Sequence, residues 1–284
     1  MRFGWHIVLT KDAQGRVSDP DKFRDLLTSY ANRVVGPIDT VELLFTSSRT
    51  LSTQSLLSTV NTISLVHDVL MAEAAGMDGV MLAASIDPAV EESRSVANIP
   101  VVGSIESALA LCGFIGGKAG IVTIAGGDDE HAYARKIEFN ATKYGCRDKL
   151  IANRPVRALR HSWKEFYVAY SRAISGDGDE FVSLFDETAR DLVKDGADVI
   201  ICGNQLFGAV LDHFGRLTFT SNNVPILDNA AAGLKTLQTL ASLRASVGLN
   251  VSRTGVFRSP AIDPPGNAMK LLSTLADGIV RSMP

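Results

Sequence analysis

The chain of 284 residues has a formal net charge of −3, with 46% hydrophobic and 21% charged residues, which is ordinary for a globular protein with a sizeable core. Without a stripe of clustered Lys and Arg, this charge argues against nucleic acid as a partner. No apolar run approaches the ~20 residues of a membrane-spanning helix. Because Met1–Thr10 also lacks the pattern of a secretory signal, we expect a cytoplasmic protein with no membrane partner.

Short apolar runs alternate with helical patterns along the chain, which predicts βαβ units, an α/β fold and mostly parallel sheets. The first strand is predicted at Phe3–Leu9. A helix start follows at Ser18–Asp21, where a capping side chain precedes a proline. The other predicted strands are Thr40–Phe45, Gly79–Ala83, Val101–Gly103, Ala119–Ile124, Leu150–Ala158, Val199–Cys202 and Val224–Leu227. The clearest helical patterns are Leu56–Ala75, Ile105–Ile115, Phe181–Leu192, Ala231–Val247 and Ala268–Val280.

Two halves of the chain repeat the same order of motifs. Gly76–Ser85 (GMDGVMLAAS) aligns with Gly196–Gln205 (GADVIICGNQ). About twenty residues later, Asn98–Gly103 (NIPVVG) aligns with Asn223–Asp228 (NVPILD), and both pieces run into a helix rich in Ala and Leu. This repetition predicts two pseudo-symmetric, interwoven lobes, residues 1–110 plus 266–284 and residues 111–265.

The repeat also predicts where a ligand binds. Ligands of open parallel sheets bind beyond the carboxyl ends of the strands. Ala84-Ser85 and Asn204-Gln205 are therefore expected to face one ligand from opposite sides of a cleft between the lobes. No Gly-x-Gly-x-x-Gly or Walker pattern follows a strand, so no nucleotide cofactor is expected. The five histidines lack metal-ligand spacing, and the three cysteines lack CxxC spacing, so no metal site or disulfide framework is expected.

The residues that carry these repeats resemble a known family. Asp78–Thr123, DGVMLAASIDPAVEESRSVANIPVVGSIESALALCGFIGGKAGIVT, resembles the middle of the aspartate/glutamate/hydantoin racemase superfamily. Residues 196–205 and 224–253 resemble the C-terminal half of hydantoin racemases, and the likeness covers about residues 60–255. The resemblance implies cofactor-independent chemistry next to the carbonyl of a small carboxylate or cyclic amide, and a homo-oligomer.

The chain departs from this superfamily at both catalytic positions. The resemblance implies one cysteine per lobe, one removing a proton and the other delivering a proton to the opposite face. The matching residues here are Ala84 and Asn204, and neither is a useful acid or base near pH 7. A shift of two residues would place Cys202 at the second position but would unmatch Gly203, so Cys202 is predicted to be a buried core residue. Cys146 is predicted to lie at the surface.

Candidate site residues follow the predicted strands. Asn204 is expected to orient a ligand or a water molecule. Ser85 and Gln205 are expected either to bind a carbonyl group or to cap the following helices. Further ligand-binding candidates, partly implied by the resemblance, are Thr10, Ser47, Ala84, Thr123, Gly126 and Gly127. With no thiol available, the base has to be His, Asp or Glu, and His161 and His6 are the first candidates.

Three functions stay open from the sequence. The first is a racemase or isomerase that does not use two thiols. The second is a divergent hydrolase or lyase that uses an oriented water or a non-thiol base. The third is a ligand-binding protein that has lost catalysis.

Overall fold

A computed structural model describes residues 1–7, 19–46, 55–126 and 129–258, together with Lys270 and Thr274. The described strands are β1 (Arg2–Ile7), β2 (Thr40–Phe45), β3 (Gly79–Ala83), β4 (Val101–Gly103), β5 (Ala119–Thr123), β6 (Val156–Ala158), β7 (Val199–Cys202) and β8 (Ile226–Asp228). The helices are α1 (Pro20–Val35), α2 (Ser55–Ala74), α3 (Val90–Val96), α4 (Ser104–Cys112), α5 (Ala132–Lys143), α6 (Trp163–Ile174), α7 (Asp179–Lys194), α8 (Phe207–His213) and α9 (Asn229–Val247). Short 3-10 turns lie at Arg147–Lys149 and Gly255–Phe257.

The strands form two four-stranded sheets with the same topology. The first sheet has the order β2-β1-β3-β4 and the second the order β6-β5-β7-β8, and every pairing between these strands is parallel. Gly4 pairs with Val80 in the first sheet, and Gly120 pairs with Ile200 in the second. At each glycine a Cβ would come within 3 Å of a leucine side chain, at 2.7 and 2.8 Å respectively. The predicted α/β fold with two pseudo-symmetric lobes is confirmed.

Four of the eight predicted strands, β2, β3, β4 and β7, have the expected bounds, and the largest difference is at β6. Val8 and Leu9 of the first predicted strand lie outside the described residues. The sequence predicted a strand over Leu150–Ala158, whereas β6 begins at Val156, directly after Pro155. A proline cannot donate a hydrogen bond to a neighbouring strand, which explains the late start. Leu150 forms only an isolated bridge with Ala119. The predicted segment Ala268–Val280 lies outside the described residues, apart from Lys270 and Thr274.

Two helices cross between the sheets. Helix α4 follows the first sheet, yet its buried Ile105 and Leu109 pack with Ile121 and Ile201 of the second sheet. Helix α9 follows the second sheet, and it contacts strands β3 and β4 of the first sheet as well as helix α4. The elements of the two halves are therefore interwoven, while the predicted lobe boundaries stay a prediction. Within the described ranges, no helix is long and apolar enough to cross a bilayer.

Candidate functional site

The carboxyl end of β3 leads into the first pair of predicted site residues. Ala84 is half-buried, and Ser85 is buried with a hydroxyl group that makes no hydrogen bond to any described residue. The loop that carries them is fixed by Asp87, whose carboxylate accepts hydrogen bonds from the backbone N–H groups of Ile105 at 3.0 Å and Glu106 at 2.7 Å. Ser85 therefore keeps a free hydroxyl on a tightly held loop.

The second sheet presents polar side chains at the equivalent edge. The Oδ1 atom of buried Asn204 accepts a hydrogen bond from the Leu206 N–H at 3.0 Å, whereas its Nδ2 has no partner among the described residues. The Oε1 atom of Gln205 and the Oγ1 atom of Thr123 are buried and have no hydrogen-bond partner in the part of the chain described. Asn204 thus caps its own loop and still offers an N–H donor.

The two strand edges are joined where helices α4 and α9 begin. Ser104, the first residue of α4, donates from Oγ to the carbonyl oxygen of Ala84 at 3.4 Å. Asn229, the first residue of α9, donates from Nδ2 to Ser104 Oγ at 3.4 Å. Asn229 is fully buried, and its Oδ1 has no partner among the described residues. This chain of contacts connects position 84 of one half with the end of β8, the strand next to β7.

These edges therefore hold buried polar groups without partners. They belong to Thr123, Gln205 and Asn229. Leaving a buried polar group unpaired costs about 1–3 kcal/mol, so native proteins pair nearly all such groups with protein, water or ligand. Three such side chains at the carboxyl ends of parallel strands are suited to bind a small polar molecule.

The charges at these edges are negative or absent. Asp87 caps the N-terminus of α4, and Asp228 caps α9 by accepting from the Ala231 N–H at 2.8 Å. Burial raises the pKa of Asp87 to about 7 and that of Asp228 to about 6. The two helix N-termini are thus occupied by carboxyl groups of the chain itself, which makes them poor sites for a ligand carboxylate.

No thiol of the described residues is placed to exchange protons with a ligand at these edges. Cys202 is the last residue of β7, but its side chain is fully buried in the core, and burial raises the pKa of its thiol well above the usual value. The prediction that Cys202 is a core residue is confirmed. The prediction that Cys146 lies at the surface is wrong. Its N–H bonds to the Ala141 carbonyl at 2.8 Å, which folds it back onto the core.

The predicted base His161 lies at a different place, beside the open edge of β6. It lines a surface cavity of about 1180 Å³ together with Gly126, Arg154 and Lys164. Although partial burial opposes it, hydrogen bonds to the Arg160 carbonyl and to Glu180 raise the pKa of His161. Gly126 and His161 are thus brought together, but Ser85, Asn204 and Gln205 do not line this cavity.

Of two further predicted residues, Gly126 has its N–H engaged and His6 has one ring nitrogen engaged. The Gly126 N–H, expected to bind a carboxylate, donates to the Glu130 carbonyl at 3.3 Å. His6 is fully buried between the first sheet and α2, with Nε2 at 3.0 Å from Asp68 Oδ2 and with Nδ1 unpaired among the described residues. The predicted residues Thr10, Ser47 and Gly127 lie outside the described residues.

Sequence reasoning missed Ser104 and Asn229. Each is the residue directly after one copy of the repeated motif, NIPVVG or NVPILD. Extending that alignment by one residue would have paired them. In the described ranges, no group of three His, Cys, Asp or Glu side chains could hold a metal ion.

Comparisons with known proteins agree with this fold. Among the solved structures that share the fold is allantoin racemase from Klebsiella pneumoniae, with 17% identity, a TM-score of 0.70, and 92% of this chain and 94% of that chain covered. Allantoin racemase from Pseudomonas fluorescens has 20% identity and a TM-score of 0.68, with 93% of this chain and 98% of that chain covered. Glutamate racemase from Thermus thermophilus has 15% identity and a TM-score of 0.55, with 98% of this chain and 94% of that chain covered. Comparison with the sequences of curated proteins gives no match. The model of the family described as Asp/Glu/Hydantoin racemase matches residues 27–237, which is most of the chain. The chain therefore belongs to the Asp/Glu/hydantoin racemase family.

Proposed function

We propose that this chain is a cofactor-independent enzyme of the racemase/isomerase type that acts on a small molecule, at a carbon next to a carbonyl group. Its site lies between the two strand edges, around Ala84 and Asn204. The observation that supports this most is the set of buried, unpaired polar side chains at those edges, Thr123, Gln205 and Asn229. Family membership supports the reaction type.

The polarity of the edges favours a neutral cyclic amide over a dicarboxylate. The unpaired oxygens of Gln205 and Asn229 accept hydrogen bonds, and ring N–H groups would supply them. The free Nδ2 of Asn204 would donate to a ring carbonyl oxygen. Both helix N-termini are already capped by Asp87 and Asp228, which disfavours a second carboxylate there. Allantoin, named for two of the similar structures, is a molecule of this class.

Asn204 has a defined role in this proposal. When a proton leaves the carbon next to a carbonyl, negative charge develops on the carbonyl oxygen. An N–H donor held in place before the reaction stabilises that charge, and losing one such donor typically lowers the rate by about 10²–10³. The Leu206 N–H fixes the orientation of the Asn204 amide, so its Nδ2 is held ready for this contact.

The base in this reaction is not a thiol. His6 is the candidate that shares the first half with Ala84. It lies opposite Leu82 in β3, and Leu82 and Ala84 pack against the same apolar cluster beneath α2. Asp68 would hold the Nε2 proton, which leaves the Nδ1 lone pair free to accept one. His161 is the second candidate and would have to act from the β6 edge.

Solvent exchange tests the proposed reaction. The chain is incubated in D₂O with single enantiomers of allantoin, 5-isopropylhydantoin, aspartate and glutamate, and each acidic C–H is followed by NMR while polarimetry follows racemisation. We expect deuterium incorporation and loss of rotation with a cyclic amide, above the rate without enzyme. Asn204→Ala should lower the rate about 10²-fold. The matched control Asn153→Ala, an exposed asparagine at the β6-edge cavity, should not change it.

Other outcomes assign the open alternatives. A product of changed mass beyond deuteration would indicate a hydrolase or lyase. Thermal stabilisation by a cyclic amide without exchange would indicate a ligand-binding protein, because selective binding to the native state raises its stability. Either result would contradict the proposed racemase-type reaction.

A further inference from the structure

A buried carboxylate in the first half is held by a tyrosine from the second half. Asp87 lies on the loop after β3 with a φ of 43°, in the left-handed region. Besides the two N–H groups of α4, its Oδ2 accepts a hydrogen bond from the hydroxyl of Tyr144 at 3.3 Å. Tyr144 directly follows α5, the helix between β5 and β6. The Asn140 side chain of α5 adds a bond to the Ile86 carbonyl at 2.6 Å.

The reverse arrangement occurs in the other half. Asp228 ends β8, and its Oδ2 accepts a hydrogen bond from the hydroxyl of Tyr30 at 2.7 Å. Tyr30 lies in α1, the helix between β1 and β2. Each tyrosine thus comes from the first crossover helix of one half, and each reaches the aspartate that caps the crossing helix of the other half.

The two aspartates come from different parts of the repeated unit. Gly103 and Asp228 are matched positions of the repeated motif. In the first half the carboxylate comes from the loop, and a Cβ at Gly103 would overlap it. In the second half the carboxylate comes from the strand end, and a Cβ at Gly208 on α8 would overlap it. The same contact is therefore built twice from unlike residues.

We propose that the pairs Tyr144–Asp87 and Tyr30–Asp228 are equivalent positioning contacts that set the separation of the two strand edges. Each pair fixes the first turn of a crossing helix against the opposite half. Those first turns begin with Ser104 and Asn229, which make the contact between the halves. The inference rests on the proposed function only in placing the ligand between these edges.

Other titratable groups surround both pairs. Glu106 and Arg94, which form an ion pair at 2.5 Å, lie near Asp87. Cys202 and Asp212 lie near Asp228 and Tyr30. Since none of these groups replaces the hydroxyl of a tyrosine as a donor to the capping carboxylate, deleting that hydroxyl isolates the contact.

Hydrogen exchange of individual amides tests the proposal. Tyr144→Phe should speed exchange of the Ile105 and Glu106 amides about tenfold and leave the Ala231 amide unchanged. Tyr30→Phe should do the reverse. The matched control Tyr133→Phe removes a hydroxyl from α5 that has no partner among the described residues, and it should change neither site.

A second readout connects the pairs to the ligand site. In the variant with both tyrosines replaced, the Kd of 5-isopropylhydantoin should rise about tenfold, while Tyr133→Phe should leave it unchanged. If each single variant speeds exchange equally at both helices, the substitution destabilises the whole chain and the proposal is overturned. If neither variant speeds exchange, the proposal is overturned as well. If the native chain does not bind the hydantoin, the proposed function is wrong, and the exchange pattern still decides the positioning role.

Discussion

Raising the pH from 5 to 8 should destabilise the folded chain through two buried carboxyl groups. In the folded state the pKa is about 7 for Asp87 and about 6 for Asp228, compared with 3.8 for an ordinary aspartate. The folded state therefore binds these protons more tightly than the unfolded state. The resulting stabilisation is complete below about pH 4 and is lost as the pH rises through 6 and 7.

The size of the effect follows from the two pKa shifts. One pKa unit corresponds to 1.36 kcal/mol, so about three units at Asp87 amount to about 4 kcal/mol and about two units at Asp228 to about 3 kcal/mol. Between pH 5 and 6 the folded state holds up to two additional protons, and the free energy of unfolding should fall by up to about 3 kcal/mol per pH unit. The raised pKa of His161 acts in the same direction.

Urea unfolding at intervals of half a pH unit measures the slope of the free energy of unfolding against pH. Asp228→Asn keeps an acceptor for the Tyr30 hydroxyl and the Ala231 N–H. It should remove about 1.4 kcal/mol of the change between pH 5 and 8, because only the interval from pH 5 to the Asp228 pKa of about 6 falls within that range. As a control, Asp177→Asn alters an exposed ion pair with Arg172 and should leave the slope unchanged. A stability independent of pH over this range, or an unchanged slope in Asp228→Asn, would refute the reasoning.

Three further predictions concern buried groups elsewhere. Tyr170→Phe deletes a fully buried hydroxyl that has no partner among the described residues. The free energy of unfolding should therefore increase by up to about 1 kcal/mol, and the melting temperature should rise with it. A lower melting temperature would show that the hydroxyl is paired. Gly208→Ala places a methyl group on the Asp228 carboxyl and should lower the free energy of unfolding in urea by about 1–3 kcal/mol. All three cysteines are buried, so mass spectrometry should detect no rapid iodoacetamide labelling of the native chain, and fast labelling of Cys202 would contradict its core position.

The sequence predicted the strands well because their side chains are buried on both faces. β3 and β7 are continuous apolar runs, and the structure keeps the predicted bounds Gly79–Ala83 and Val199–Cys202. The helix start was equally clear, since Asp19 caps α1 and Pro20 opens it. Local signals of this kind are independent of the rest of the chain.

The candidate site was predicted only in part because its remaining contacts are long-range. Asn204 and Gln205 follow a recognisable strand, so their place was predictable from position alone. The contact between Asn229 and Ser104 joins residues 125 apart and depends on the crossing of α4 and α9. The Tyr30–Asp228 pair joins residues 198 apart, and such a distant contact cannot be predicted from the periodicity of a sequence. His161 lines a cavity that Asn204 does not line, and a sequence does not show which residues share a cavity.

A crystal structure with a bound hydantoin tests the central claim most directly. We predict ligand density between Ala84 and Asn204, with the Asn204 Nδ2 and the Gln205 side chain within hydrogen-bond distance and no sulfur atom in contact. Density in the cavity beside His161 and Arg154, or a ligand touching Cys202, would contradict the account.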